Sequence, residues 1–326
     1  MDAVPNKLVS VILVSWNGRE YLPEALSSLY RQTYAPLEII LVDNASRDGT
    51  VEYVESEYPG VILLRNPENY GFCKANNQGI RIAKGSYLLL LNPDVRLKED
   101  FIEKAVRTAE SEEKIGMVSG KLLTARDPTR IDTTGIVLEK TRRALDRGQG
   151  EPDRGQYDRR EEVFGVSAAA CLCRREMLEA VKVQGEYLDE LFFAYKEDVD
   201  LSWRARLMGW RCVYTPDAIG YHDRTWFLGN RNRIPRRIRR HSLKNRYLMM
   251  LKNDRWSEIR PCLKALLGYE LKSLGYILFR EPHLIRALFQ VIRLFPQALR
   301  KRRGIQEKAT VGKGDLIRWF QGGRSF

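Results

Sequence analysis

Residues 8–50, LVSVILVSWNGREYLPEALSSLYRQTYAPLEIILVDNASRDGT, carry the architecture in miniature. An apolar run at 8–14 is followed by a segment, 20–30, whose apolar positions recur at helical period, and then by a second apolar run at 37–42. The alternation continues outward, with helical stretches at 48–58 and 72–83 and further apolar runs at 61–64 and 87–91. Short, nearly continuous Val, Ile and Leu runs between amphipathic helices predict an α/β fold with a mostly parallel sheet covered on both faces. Ligands of such sheets sit beyond the carboxyl ends of the strands.

Those ends are polar here. They read Ser15-Trp16-Asn17-Gly18, then Asp43-Asn44-Ala45-Ser46-Arg47-Asp48-Gly49-Thr50, then Arg65-Asn66-Pro67 with Asn69-Tyr70-Gly71-Phe72, and finally Asn92-Pro93-Asp94. One polar end is explained by a helix cap, the role expected of Ser46 or Asp48. Four converging ends predict a pocket. Asp94, closing an apolar strand, stands where a hard-cation ligand belongs, with Asn92 two residues earlier on the same side of an extended chain.

Further along, 124–165 is rich in turns and charge and reads as a long surface insertion over the site. Strand character returns at 163–174 and 212–214, and a helix is expected from 197 to 208. Glu197-Asp198-Val199-Asp200 follows the aromatic run Phe192-Phe193-Ala194-Tyr195. Three carboxylates in four residues are costly unless a helix start or a charged site holds them. Asp200 has Arg204 at i+4 as an ordinary partner; a carboxylate beside an aromatic wall has the setting of a general base. His222 precedes a basic stretch, and Arg224, Arg231 and Arg233 are candidates for a lid over a diphosphate.

Charge is unevenly distributed. The net is +13, but residues 231–326 hold 24 Lys and Arg against 6 Asp and Glu, a net of +18, whereas residues 1–230 are at −5. Two regions with different partners are implied, 1–230 and 231–326. In the second, Leu263, Leu267, Leu271, Leu274 and Leu278 share a helix face, as do Leu284, Leu288, Val291, Ile292 and Phe295, while Arg286, Arg293 and Arg300 form a stripe. Basic amphipathic helices of this kind suit an anionic membrane surface. The alternative is that they pack on the first region with the arginines outward. A nucleic-acid partner is not expected, because the tail's apolar residues keep helical period and the first 230 residues are acidic. No spanning segment or leader peptide is expected, and five scattered cysteines predict reduced thiols, so a cytoplasmic location follows.

Residues 9–17 (VSVILVSWN), 41–50 (LVDNASRDGT), 69–80 (NYGFCKANNQGI), 88–95 (LLLLNPDV) and 192–204 (FFAYKEDVDLSWR) resemble, in order and spacing, glycosyltransferase family 2, and within it the bacterial rhamnosyltransferase-like branch. The resemblance implies a GT-A fold, inverting direct displacement and a nucleotide-sugar donor held with Mg2+ or Mn2+. Carried onto this chain, it makes Asp43 a contact of the nucleoside base with Ser15 and Asn17 beside it. Gly71, Lys74 and Asn77 line the donor cleft, and Asn92 and Asp94 stand in the metal-binding D-x-D position. Asp198 becomes the catalytic base and His222 a metal ligand, with Tyr195, Glu197, Asp200 and Trp203 on the acceptor side. Asn92 replaces the usual first acid, removing one charge, and 166–173 (VSAAACLC) departs from the common glycine-alanine pattern. The implied reaction moves a hexose, rhamnose from dTDP-rhamnose, onto a glycan or polyprenyl-diphosphate-linked acceptor at the inner face of the cell membrane. A UDP-hexose or UDP-galactofuranose donor is the alternative. A nucleotidyltransferase is disfavoured because no early glycine-rich loop with basic residues is present.

Overall fold

A computed structural model describes residues 7–224 and 234–320. The first half is the expected alternation: β1 (Val9–Ser15), α1 (Leu22–Tyr30), β2 (Leu37–Asp43), α2 (Thr50–Glu57), β3 (Ile62–Arg65), α3 (Gly71–Ile82) and β4 (Tyr87–Leu91). β4, β1, β2 and β3 lie side by side and parallel. All of β1 is buried. Ile12 and Val14 join the apolar cluster on one face of the sheet, and Val11 and Leu13 join the cluster on the other. That is why the run shows no polar alternation.

The second half supplies β5 (Val95–Leu97), α4 (Phe101–Glu110), β6 (Ile115–Thr124), β7 (Ile131–Thr133), β8 (Ile136–Leu138), β9 (Ala144–Asp146), β10 (Glu161–Glu162), β11 (Ala170–Arg174), α5 (Arg175–Val181), α6 (Glu197–Leu207) and β12 (Arg211–His222). β11 enters antiparallel between β4 and β6, and β12 runs parallel to β6. Three sequence expectations change. The 124–165 insertion is not a plain loop, since it holds β7 and the β8–β9 hairpin. The strand between β4 and β6 begins at Ala170 rather than 163, because the chain before it pairs elsewhere: Glu161 and Glu162 with β12, and Gly165 through backbone hydrogen bonds with Ile136 of the hairpin. β12 extends well past 214, crossing a register shift between Tyr214 and Ile219 where Pro216 has no N–H to give the ladder.

The basic region forms α7 (Arg236–Asn253), the short α8 (Trp256–Ile259), α9 (Leu263–Arg280) and α10 (Ile285–Lys308). α7 and α10 share a core with the sheet: Leu248, Met249, Ala298 and Ile305 belong to the same apolar cluster as Ile12. Buried ion pairs add to it. Lys252 of α7 reaches Asp189, and also Asp200 of α6 at 2.9 Å; Lys301 of α10 reaches Asp189 and Glu186, each at 2.6 Å. Burial alone would raise the Asp189 carboxyl, but the two lysines outweigh it and hold it well below the usual range. Arg142, fully buried on the hairpin, makes a two-pronged bond to Asp254 at 2.8 and 3.0 Å.

The remaining faces of α9 and α10 are uncovered. Leu267, Leu271, Leu274, Leu278 and Phe279 are exposed along α9, as are Phe289, Ile292, Phe295 and Leu299 along α10. Arg286, Arg293 and Arg300 are exposed too, along the border of the α10 stripe. No helix among the described residues is long and apolar enough to cross a membrane.

Candidate active site

Because β1 lies between β2 and β4, the polar ends of these strands are neighbours. Ser15 is in register with Asp43. The β1 turn is fastened to the β2 turn: the Asn17 N–H donates to Ser46 Oγ at 2.8 Å, the Arg47 N–H to Asn17 Oδ1 at 2.8 Å, and the Arg19 N–H to Asp48 Oδ2 at 2.9 Å. Asp43 accepts from the Ser46 N–H through Oδ2, while among the described residues its buried Oδ1 and the buried Ser15 Oγ have no hydrogen-bond partner. Two orphaned buried oxygens side by side are costly unless something polar completes them.

Asp94 lies just beyond β4, and β5 explains its neighbour. β5 pairs antiparallel with the end of β12, setting His222 opposite Val95. His222 Nε2 is 3.4 Å from Asp94 Oδ1, although 128 positions separate them. On its other side, His222 Nδ1 is 2.8 Å from Asp132 Oδ2. Asp132 Oδ2 also accepts from Arg224 Nη2 at 3.2 Å, with Arg224 Nε in ion-pair contact with Oδ1 at 2.8 Å, and Arg224 continues to Asp146 at 2.9 Å. Burial opposes charge on His222, yet Asp132 and Asp94 outweigh it and lift its pKa to about 9. A carboxylate oxygen facing an imidazole nitrogen needs a positive charge between them, from either a proton or a metal cation. The Asp132 bond fixes the ring orientation, as the outer partner of a ligating histidine does. The donor set therefore fits a divalent cation, with Asp94 Oδ1 otherwise lacking a hydrogen bond. Among the described residues no group of three His, Cys, Asp or Glu is arranged to hold one alone.

Opposite stands the start of α6. A single cavity of about 420 Å3 is lined by Asn92, Asp94, His222 and Arg224 on one side and by Tyr195, Lys196, Glu197 and Asp198 on another. The β8–β9 hairpin (Ala144 to Asp146) and the chain entering β11 (Ser167 to Ala169) complete it. Its size and its few convergent polar groups are those of a small-ligand site. Burial raises the Asp198 carboxyl above its ordinary value; Lys196 pulls it back in part and Asp146 raises it again. Glu197 is raised as well, by burial and by Asp198 next to it.

The loop that presents these groups is unusual. Phe193, Tyr195 and Lys196 have φ of 66°, 73° and 71°. Left-handed backbone at three non-glycine residues costs roughly 1–3 kcal/mol apiece and persists only where the surroundings impose it. Two contacts impose it. Asn245 of α7 donates through Nδ2 to the carbonyls of Phe192, Ala194 and Tyr195 at 3.0, 2.8 and 2.6 Å. From the donor side, Gly71 (φ 82°) lies so close that a Cβ there would meet Phe193 Cδ2 at 2.6 Å, and the Cys73 N–H donates to the Phe193 carbonyl at 3.1 Å.

The sequence candidates thus separate. Asn92, Asp94, Tyr195, Glu197, Asp198, His222 and Arg224 meet at one cavity. Ser15, Asn17 and Asp43 flank it at the neighbouring strand ends. Asn77 is fully buried, tied to Leu188 and Glu190, and Lys74 covers the Tyr70 ring at 3.7 Å. Asp200 and Trp203 face the core: Asp200 pairs with Arg204, Lys252 and Asn253, and Trp203 packs edge-on against Phe164. Arg231 and Arg233 lie outside the described residues. Asp132, Asp146 and Asn245 carry no motif signal, and only the strand and helix pairings bring them here; Lys196 lies inside the 192–204 stretch, where the sequence assigns it no role.

Several known proteins are similar. An N-acetylglucosaminyl-diphospho-decaprenol L-rhamnosyltransferase of Mycobacterium tuberculosis is 28% identical over 250 residues, covering 68% of this chain and 78% of its own. Glycosyltransferase GlyG of Streptococcus pneumoniae is 35% identical over 101 residues, 30% of this chain, so that the chain spans about a third (34%) of that relative's length. Among solved structures, S. aureus TarS superposes with a TM-score of 0.58 at 17% identity, over 92% of this chain and 55% of that one. GalNAc-T7, crystallised with UDP, GalNAc and Mn2+, gives 0.57 at 15%, over 76% and 48%. At that identity the likeness speaks to the fold alone. The Glycosyl transferase family 2 profile matches residues 10–182, more than half of the sequence, and the chain belongs to that family, built on the GT-A fold.

Proposed function

We propose that this protein is an inverting glycosyltransferase that moves a sugar, rhamnose from dTDP-rhamnose, onto a lipid-linked or polysaccharide acceptor in cell-surface glycan assembly. The observation that carries the reading is the convergence of Asp198 with the Asp94–His222 pair on one cavity at the carboxyl ends of the nucleotide-side strands. The choice of rhamnose and of a lipid diphosphate is supported by the mycobacterial relative's name.

The residues divide the work. Asp43 Oδ1 and Ser15 Oγ, both orphaned and buried, accept from and donate to the nucleoside base. The Asp198 carboxylate takes the proton of an acceptor hydroxyl; the freed oxygen attacks the anomeric carbon from the face opposite the nucleoside diphosphate, which departs with the bonding pair. A divalent cation held by Asp94 and His222 would neutralise the leaving diphosphate, taking its remaining ligands from phosphate and water. Arg224, pinned between Asp132 and Asp146, adds fixed positive charge at the same wall. Residues 231–326 act as the docking region: apolar stripes on α9 and α10 bordered by arginines support peripheral attachment to the anionic inner face of the cell membrane over attachment to nucleic acid.

The test is a donor screen by thermal shift with Mn2+ or Mg2+, comparing dTDP-rhamnose with UDP-hexoses, UDP-galactofuranose and GDP-mannose, followed by turnover of Asp198→Asn. Metal-dependent stabilisation by dTDP-rhamnose is expected, with Asp94→Ala abolishing it. Asp198→Asn should keep donor binding and lose at least about 100-fold in turnover. Stabilisation by a UDP-sugar alone would replace the donor, and undiminished Asp198→Asn turnover would remove the base.

A further inference from the structure

A second cavity, of about 730 Å3, adjoins the first, and Ala144, Leu145, Tyr195, Lys196 and Ser242 line both. Its far walls are α7 and α9, and their chemistry is of two kinds. Ile238, Leu243, Ile277 and Leu284 give an apolar floor, with Tyr269 and Tyr276 beside it. Arg142, Arg143, Lys196, Arg239, Arg246 and Lys272 also line it; Asp254, Glu281 and Glu270 pair with Arg142, Arg239 and Arg246 from behind the wall, and among the described residues no carboxylate lines the cavity itself. Arg246 is only 6% exposed. Its Nη2 is used, by the Thr141 carbonyl at 2.5 Å and by Glu270 at 2.7 Å, but among the described residues Nε and Nη1 have no hydrogen-bond partner. Buried guanidinium N–H groups without acceptors, in a cavity lined by cations, call for a multivalent anion. Apolar walls of this extent call for a hydrocarbon chain attached to it.

We infer that this second cavity is the subsite for a prenyl diphosphate. The diphosphate lies against Arg246 and Lys196, the isoprenoid chain lies along Ile238, Leu243 and Ile277, and the attached acceptor sugar reaches into the first cavity toward Asp198. The inference rests on the first cavity being the transfer site, and apart from Lys196 it assigns the head and chain of the acceptor to residues outside the family motifs. Lys196 links the two cavities, two positions before Asp198. α9 turns Tyr269, Lys272 and Tyr276 into the cavity, while Leu267, Leu271, Leu274 and Leu278 face outward.

The full-length protein would be titrated with farnesyl diphosphate below its micelle concentration, alongside inorganic pyrophosphate and farnesol, with binding followed calorimetrically. Farnesyl diphosphate should bind at least tenfold more tightly than either fragment, and saturating dTDP with Mn2+ should not displace it. Arg246→Gln should weaken it at least tenfold, and Ser273→Trp, which fills the cavity without removing a contact, should do the same should Arg246→Gln fail to fold. Both variants should keep nucleotide binding. Equal affinity for pyrophosphate and farnesyl diphosphate would make this a free-phosphate site and overturn the proposal. Displacement by dTDP, or wild-type affinity in Ser273→Trp, would overturn it as well. Transfer to a soluble sugar acceptor separates the two readings: transfer with no prenyl site refutes only the subsite, and a prenyl site without nucleotide-sugar turnover refutes only the transferase.

Discussion

Replacing Asn245 with alanine tests whether a helix outside the family-matched segment holds the catalytic loop. One amide nitrogen serves three carbonyls, at 3.0, 2.8 and 2.6 Å. The amide has two N–H groups, so one is shared between carbonyls, and at about 1 kcal/mol net for each hydrogen bond the tether is worth about 2 kcal/mol. Without it, the left-handed conformations at Phe193, Tyr195 and Lys196 are free to relax, and relaxation moves Glu197 and Asp198 off the cavity wall. A loss of about 2 kcal/mol in the competent loop conformation corresponds to about 30-fold in kcat. Donor affinity should change less than about threefold, because Asp43 and Asp94 lie on other elements. Asn245→Asp is the sharper control, keeping the shape but offering no N–H, so it should be at least as damaging as alanine. Steady-state kinetics with separate donor-binding measurements decide the matter. Wild-type kcat in either variant, or a defect confined to donor affinity, would refute the reasoning.

Lys196→Met removes the cation that draws the Asp198 carboxyl down, so that carboxyl rises further and the acid limb of the pH–rate profile should move to higher pH; an unmoved limb would separate Lys196 from the base. Lys301→Met breaks a buried pair and should cost about 3–5 kcal/mol by chemical denaturation. Because Asp189 is depressed in the folded protein, its stabilisation is complete above its unfolded value of about 3.9 and is lost as pH falls through the lower folded one, so the gap between variant and parent should close only in acid. Phe279→Glu with Ile292→Glu, at positions 87% and 68% exposed, should abolish binding to anionic vesicles with turnover on a soluble acceptor preserved; retained binding would place attachment elsewhere. These substitutions are preferable to deleting 260–326, which would strand Asp189 without Lys301 in the core.

The parallel half was legible because its strands are buried on both faces and its signal is local: β1, β2 and β4 begin and end within a residue of the apolar runs. Asp94, Asp198 and His222, singled out from sequence, are brought to one cavity, Asp94 and His222 from strand ends and Asp198 from the first turn of α6. The acceptor wall was not legible. β8 is three residues long, hidden among charges, and its partner β9 is no longer, so no periodicity accumulates. Asp132 is chosen by the register that brings β7 against β6, and Asn245 by helix packing across more than 50 positions. Asp200 misleads from sequence for the opposite reason: its spacing to Arg204 is ordinary, but its burial beneath α7 is visible only once Lys252 and Asn253 are in place.

α9 has two functional sides, which constrains how its length can change. A helix advances 100° per residue, so a single insertion near its middle would rotate the downstream turns by more than a quarter of a circle. Ile277 would take the outward place of Leu278, and Tyr276 would be left in the place of Ile277. Insertions or deletions of three or four residues nearly restore the angle, and seven restores it better still. Length variation in α9 should therefore come in whole turns, and the β8–β9 hairpin, whose tip is pinned through Arg142 to Asp254, is no freer to change by a single residue.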